Sequence, residues 1–215
     1  MQSATTIVRA DTGSGEIALR RNGEVIELVV NGVFAMDSAE VASEIALADA
    51  VGSNPGRVLV GGLGLGYTAA RLLEAGARTV RVVELAEPLI AWARDGVTEQ
   101  LGALAGDARV ELVCADIADT LAADSGGWDA ILLDVDNGPS FLIHERNAQL
   151  YDTATLSHCL DLLSPGGQLV IWCESASPQL EHTLRSLSSR VDVIEIPVSR
   201  EGRSFSYALY RATRD

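Results

Sequence analysis

A run of glycines and three separate acids are spaced to hold a nucleoside. Val58-Leu59-Val60-Gly61-Gly62-Leu63-Gly64-Leu65-Gly66-Tyr67 joins a short apolar stretch to a helix-like one. Glycines at such a junction let the backbone approach a ligand, and the first N–H groups of the helix point at it. Glu84 follows about twenty residues later at the end of the next apolar stretch, where a carboxylate can accept from both hydroxyls of a ribose. Asp116 follows a third such stretch, Val110-Glu111-Leu112-Val113, and is placed to meet an adenine amino group. Asp134 ends a fourth, Trp128-Asp129-Ala130-Ile131-Leu132-Leu133, and opens Asp134-Val135-Asp136-Asn137-Gly138-Pro139. Asp134 and Asp136 are the candidates to touch an acceptor substrate or to take its proton. Asp136 reads equally as a turn residue beside Asn137-Gly138.

Other side chains could complete such a site. His144 lies in the segment after Asp134, Tyr151 opens the helix that follows, and Tyr67 adjoins the glycine run. Trp172 and Glu174 end a fifth apolar stretch. Tyr67, Tyr151 and Trp172 each read equally well as core packing. His158 reads as a satisfied histidine on a helix.

The elements that must position these residues are legible in outline. From Arg57 onward, short apolar strands alternate with helical periodicity: 57–60, 80–83, 110–113, 128–133 and 168–172, with helices over 68–75, from Pro88, near 148–163 and over 179–188. Alternation of this kind predicts a mainly parallel sheet covered on both faces. The tail, 193–197 and 205–210, predicts a hairpin. The first 36 residues read as strands, with turns at Asn22-Gly23 and Asn31-Gly32. A helix should begin at Asp37 or Ser38, both good caps, and run through Ala48. The division predicted is a β-strand extension over 1–36 and a ligand-binding domain over 37–215.

Composition excludes several classes. The net charge of −14 over 215 residues opposes nucleic-acid binding, which needs basic surface to displace counterions. All 16 basic residues are Arg, so no lysine Schiff base can form. Cys114, Cys159 and Cys173 lack metal-ligand spacing, and no metal site is expected. Neither a signal-like nor a membrane-spanning apolar run occurs, so a cytoplasmic protein is expected.

The glycine run also discriminates between nucleosides. Gly62-x-Gly64-x-Gly66 has no glycine at position 67, where a dinucleotide fingerprint would place its third. With the terminal hairpin, this favours S-adenosylmethionine over a nicotinamide cofactor. Across nearly the whole chain the sequence resembles the spermidine synthase family, aminopropyltransferases on the class I S-adenosylmethionine-dependent methyltransferase fold. The likeness rests on Val30-Asn31-Gly32-Val33, the glycine run, Val83-Glu84-Leu85, Trp128 to Asp134, Leu163-Ser164-Pro165-Gly166-Gly167 and Cys173-Glu174-Ser175.

The resemblance implies an α/β, Rossmann-like fold with a mainly parallel seven-stranded sheet, a C-terminal antiparallel hairpin and a short N-terminal β-hairpin extension. It also implies ribose at Glu84, adenine at Asp116, the transferred group beside Asp134, and a homodimer. Gly61, Gly62, Gly64 and Gly66 would cradle the cofactor. The sequence departs from the family at the amine pocket. Gly64 stands where the family has an Asp that holds the ammonium of decarboxylated S-adenosylmethionine. Ala35 replaces a Gln, Ala42-Ser43-Glu44 replaces Tyr-His-Glu, and Asn137 replaces a second Asp. The sequence therefore predicts a transferase using intact S-adenosylmethionine, first a methyltransferase acting on a small molecule. The alternatives are a polyamine aminopropyltransferase using decarboxylated S-adenosylmethionine and a non-catalytic cofactor-binding protein.

Overall fold

The computed structural model describes residues 4–13, 15–135, 138–139, 145–200 and 203–215. Four strands come first: β1 (Thr5–Thr12), β2 (Gly15–Asn22), β3 (Val25–Val30) and β4 (Val33–Asp37). They form an antiparallel meander in the order β1-β2-β3-β4, larger than the hairpin expected. The Asn31-Gly32 turn forms as predicted, with φ of +53° and +76°, as a type I′ turn requires. The preceding turn is shifted by one residue, because Asn22 pairs with Val25 and leaves Gly23-Glu24 as the loop.

Helix α1 (Ala42–Asp49) begins later than predicted. Both predicted caps are otherwise engaged. The Asp37 carboxylate accepts from the N–H groups of Ala39 and Glu40 at 2.9 and 3.0 Å, and the Ser38 hydroxyl accepts from Ile26 N–H at 2.9 Å. They shape the connection from β4, and the helix starts beyond it.

The alternating part follows: β5 (Arg57–Gly61), α2 (Tyr67–Glu74), β6 (Thr79–Glu84), α3 (Glu87–Arg94), α4 (Glu99–Gly106), β7 (Val110–Cys114), α5 (Ile117–Ala123) and β8 (Trp128–Leu133). A 3-10 turn (Glu145–Tyr151), α6 (Thr153–Leu162), β9 (Leu163–Cys173), α7 (Pro178–Leu187), β10 (Arg190–Arg200) and β11 (Arg203–Thr213) complete the chain. The seven-stranded order is β10-β11-β9-β8-β5-β6-β7. Six strands run in the same direction, and β11 is antiparallel to both neighbours.

The sheet is buried on both faces. Val58, Val60, Ala130, Leu132 and Val170 pack on one side with α1, α2 and Ile17, Leu19 and Leu28 of the small sheet. Leu59, Ile131, Leu133, Leu169 and Ile171 pack on the other with α6 and α7. Among the described residues, no helix is long and apolar enough to cross a membrane.

The strand order has one functional consequence. From β5 the chain winds outward through β6 and β7, then returns to place β8 on the other side of β5. Connections leave the ends of β5 and β8 in opposite directions, opening a crevice where open α/β sheets bind ligands. The glycine run follows β5 and Asp134 follows β8.

Candidate functional site

The glycine run is shaped by its neighbours. Gly62 has φ +96°, and a Cβ there would overlap the carbonyl oxygen of Asp134. Asp134 N–H in turn donates to the Gly61 carbonyl at 2.9 Å. A side chain at 62 would therefore push the loop off the β8 end. Gly66, at φ +87°, is the residue from which α2 starts. Gly64, at φ +52°, faces a neighbour that the sequence did not indicate. A Cβ on it would lie 2.7 Å from the Met36 sulfur, which also accepts from Leu65 N–H at 3.3 Å. A thioether is a weak acceptor, so this N–H just ahead of α2 is held loosely.

Glu84 ends β6 and Asp116 follows β7, the strands on the side of β5 away from β8. One Glu84 oxygen accepts from Leu63 N–H at 2.9 Å, and the other from Ala86 N–H at 2.8 Å. Glu84 thus ties the glycine run to the start of α3. Asp116 caps α5, with Oδ1 accepting from Ala118 N–H at 2.9 Å. Both acids have a structural task in addition to any contact with a ligand.

At the β8 end the chemistry concentrates. Asp134 lies beside α1 and α2, with its Oδ2 3.4 Å from the Thr68 hydroxyl. An edge of the residue remains accessible. Its carboxyl is nevertheless pushed up to about 7, first by desolvation and then by the Glu44 charge, against a small opposing effect from Thr68. Glu44 is itself raised, first by burial and then by the charges of Glu40 and Asp37, while the Ser43 hydroxyl donates to it at 2.7 Å. Glu44 ionises first and Asp134 titrates against it, as expected when two carboxylates share a poorly solvated site.

The remaining candidates are more scattered. Trp172 packs on Tyr207 with ring centroids 4.9 Å apart, and Tyr207 meets Phe205 at 5.3 Å. The Trp172 indole N–H is buried with no hydrogen-bond partner among the described residues. Glu174 is exposed just beyond β9. Tyr67 packs partly against the α2 face of the core, and Tyr151 against the opposite face. Asp136 and His144 lie outside the described residues. The His158 Nε2–H donates to the Leu121 carbonyl at 3.0 Å, a structural role. Among the described residues, no His, Cys, Asp and Glu side chains group to hold a metal ion. Surface depressions near Asp129, Gly166 and Gln168 lie at the opposite ends of the strands and share no residue with this group.

Sequence reasoning overlooked three members of this constellation. Met36 and Thr68 carried no signal. Glu44 was visible only as the last residue of a segment that departs from the family's Tyr-His-Glu. Its acid is the part retained, and its charge acts on Asp134.

Neither a protein-family model nor a curated protein matches the chain. Solved structures do match. A spermidine synthase in complex with the transition-state analogue AdoDATO superposes with a TM-score of 0.78 at 16% identity, covering 98% of this chain and 74% of that one. The spermidine synthase from Thermotoga maritima gives 0.77 at 16% identity, covering 98% and 73%. This chain has the spermidine synthase-like fold. A probable spermidine synthase from Corynebacterium glutamicum gives 0.73 at 20% identity, covering 100% of this chain and 81% of that one. In all three the likeness spans the small N-terminal sheet as well as the Rossmann-like part, since nearly the whole chain is covered. Those proteins set the fold; the chemistry must be argued from the residues above.

Proposed function

We propose that the protein is a transferase that moves an aminopropyl group from decarboxylated S-adenosylmethionine to a cationic amine. The observation that carries this reading is the Asp134–Glu44 pair. Two carboxylates held together in a poorly solvated place repel each other, and a cationic ligand relieves both the repulsion and the desolvation cost. A neutral acceptor would leave that cost standing. The structural likeness to spermidine synthases supports the same choice over the methyl transfer favoured by sequence.

The residues fit the donor. Gly62 and Gly64 leave no room for side chains, so the loop backbone lies close against Asp134 and Met36. Glu84 ends β6 beside the glycine run, its oxygens accepting from Leu63 and Ala86 N–H, at the strand end where a carboxylate meets ribose hydroxyls. Asp116 uses Oδ1 for its cap and has Oδ2 for an adenine amino group. When bound, the donor supplies a carbon activated by a sulfonium that departs as a neutral thioether. Glu44 holds the charge of the amine, and Asp134 accepts the proton that the attacking nitrogen sheds. A carboxyl near 7 suits that task at neutral pH. Positioning of the nitrogen by these two acids supplies most of the rest.

One observation favours a second reading. No acid stands at Gly64, and among the described residues Leu65 N–H donates to the Met36 sulfur, a weak acceptor. A carboxylate on intact S-adenosylmethionine would be the better acceptor, with methyl transfer to the same amine as the consequence. Incubation with each donor and a panel of diamines separates the two. Methylthioadenosine release from the decarboxylated donor is expected, and adenosylhomocysteine release from the intact donor would replace the main reading with the second. Donor binding without either product would leave a non-catalytic protein.

A further inference from the structure

The geometry points to an acceptor amine that also carries an oxygen, a hydroxyl or a carbonyl, held by the indole N–H of Trp172. This deepens the amine reading above and rests on it. The parallel register pairs Leu132 with Val170 and Leu133 with Ile171, so the next positions, Asp134 and Trp172, fall side by side at the ends of β8 and β9. Side chains alternate between faces along a strand, and neighbouring strands are about 5 Å apart. Asp134 and Trp172 therefore leave the sheet on one face, the face that carries α1 with Glu44 and α2 with Thr68.

Tyr207 belongs to the same wall. Leu209 pairs with Trp172 across β11, which places Tyr207 on that face one step further along, with Phe205 beyond it. The acids thus border a row of three aromatic rings. Within that row one polar atom is unexplained, the buried Trp172 Nε1, which has no partner among the described residues. Phe or Leu would fill the same space with no buried donor to satisfy.

The identity of the missing partner follows from donor and acceptor counting. An ammonium has only donors, as does the indole N–H, so a plain diamine cannot serve Trp172. Asp134 is on the neighbouring strand end, yet its side chain accepts from Thr68 and the indole does not reach it. A ligand that sends its nitrogen to the acids and an oxygen to the indole satisfies both. A site built around such a bond discriminates against the analogue that lacks the oxygen, because the buried group is then left unpaired.

Calorimetry with 1,4-diaminobutane and its 2-hydroxy derivative, in the presence of saturating methylthioadenosine, tests this. The wild type should bind the hydroxylated amine about fivefold more tightly. Trp172→Phe keeps a ring and removes the N–H, so it should abolish the preference, the hydroxylated amine losing about fivefold relative to 1,4-diaminobutane. Equal binding of the two amines by the wild type would overturn the inference while leaving the amine reading intact, and so would equal losses for both in the variant. If neither amine binds, the amine reading falls and the inference with it. A Trp172→Phe effect confined to intact S-adenosylmethionine would assign the N–H to a donor carboxylate and likewise overturn it.

Discussion

Replacing Asp134 with Asn should make the ligand-free protein more stable at pH 8 while disabling it. The native carboxyl is raised from 3.8 to about 7, first by desolvation and then by the Glu44 charge. Between pH 4 and 7 the native state keeps a proton there that the unfolded chain has released. The native state therefore binds more protons, and stability falls as pH rises through this window. At about 1.4 kcal/mol per pH unit the full displacement corresponds to about 4 kcal/mol. The accessible edge of Asp134 lets water offset part of this, so we expect about 2–4 kcal/mol. Asn is neutral throughout and can still accept from Thr68, so the variant lacks the penalty. Glu44 titrates in both proteins, and its contribution largely cancels in the difference. Urea denaturation followed by circular dichroism at pH 4, 6 and 8 measures that difference. The two proteins should be nearly equal at pH 4 and diverge towards pH 8, with the variant more stable. Parallel stability curves, or a variant weaker at pH 8, would refute the claim that Asp134 is held in a desolvated, like-charged site. Stability gained at the expense of activity is the usual sign of a residue kept for function.

Two further predictions follow from the donor side of the crevice. Glu84→Ala should weaken binding of the adenosyl donor by about 1.5–3 kcal/mol by calorimetry. It should also cost about 1–2 kcal/mol of stability in denaturation, since the Leu63 and Ala86 N–H groups lose their acceptor; an unchanged donor affinity would reduce Glu84 to a structural tie. Gly64→Asp should shift donor preference towards the decarboxylated form only in combination with Met36→Ala, because a Cβ at 64 meets the Met36 sulfur at 2.7 Å and φ is +52°. The single variant should mainly lose stability, by about 1 kcal/mol or more in thermal unfolding, and a single variant as stable as wild type would show that Met36 yields freely.

Much of this protein is set by local pattern. Strands 57–61 and 128–133, the Asn31-Gly32 turn and the placement of Glu84, Asp116 and Asp134 at successive strand ends all follow from apolar periodicity and from glycine and proline punctuation. Those signals are short-ranged, so they are readable from the chain alone. Local pattern also misleads where one residue type serves two purposes. Asp37 and Ser38 have the chemistry of helix caps, and the structure spends their oxygens on the turn out of β4. Asp116 is an end-of-strand acid and a helix cap at once. What tertiary structure alone decides is which distant residues share a space. Met36 meets Gly64 and Leu65 because the small sheet packs over the glycine run, and Asp134 falls level with Trp172 because β8 and β9 align in one register. The Glu44 charge reaches Asp134 because α1 lies on the same face of the sheet. Periodicity reports that a face is buried and says nothing of what covers it. For the same reason the protonation of Asp134 is absent from the sequence: a carboxyl's affinity for its proton is set by the water and charge around it, and both are products of packing.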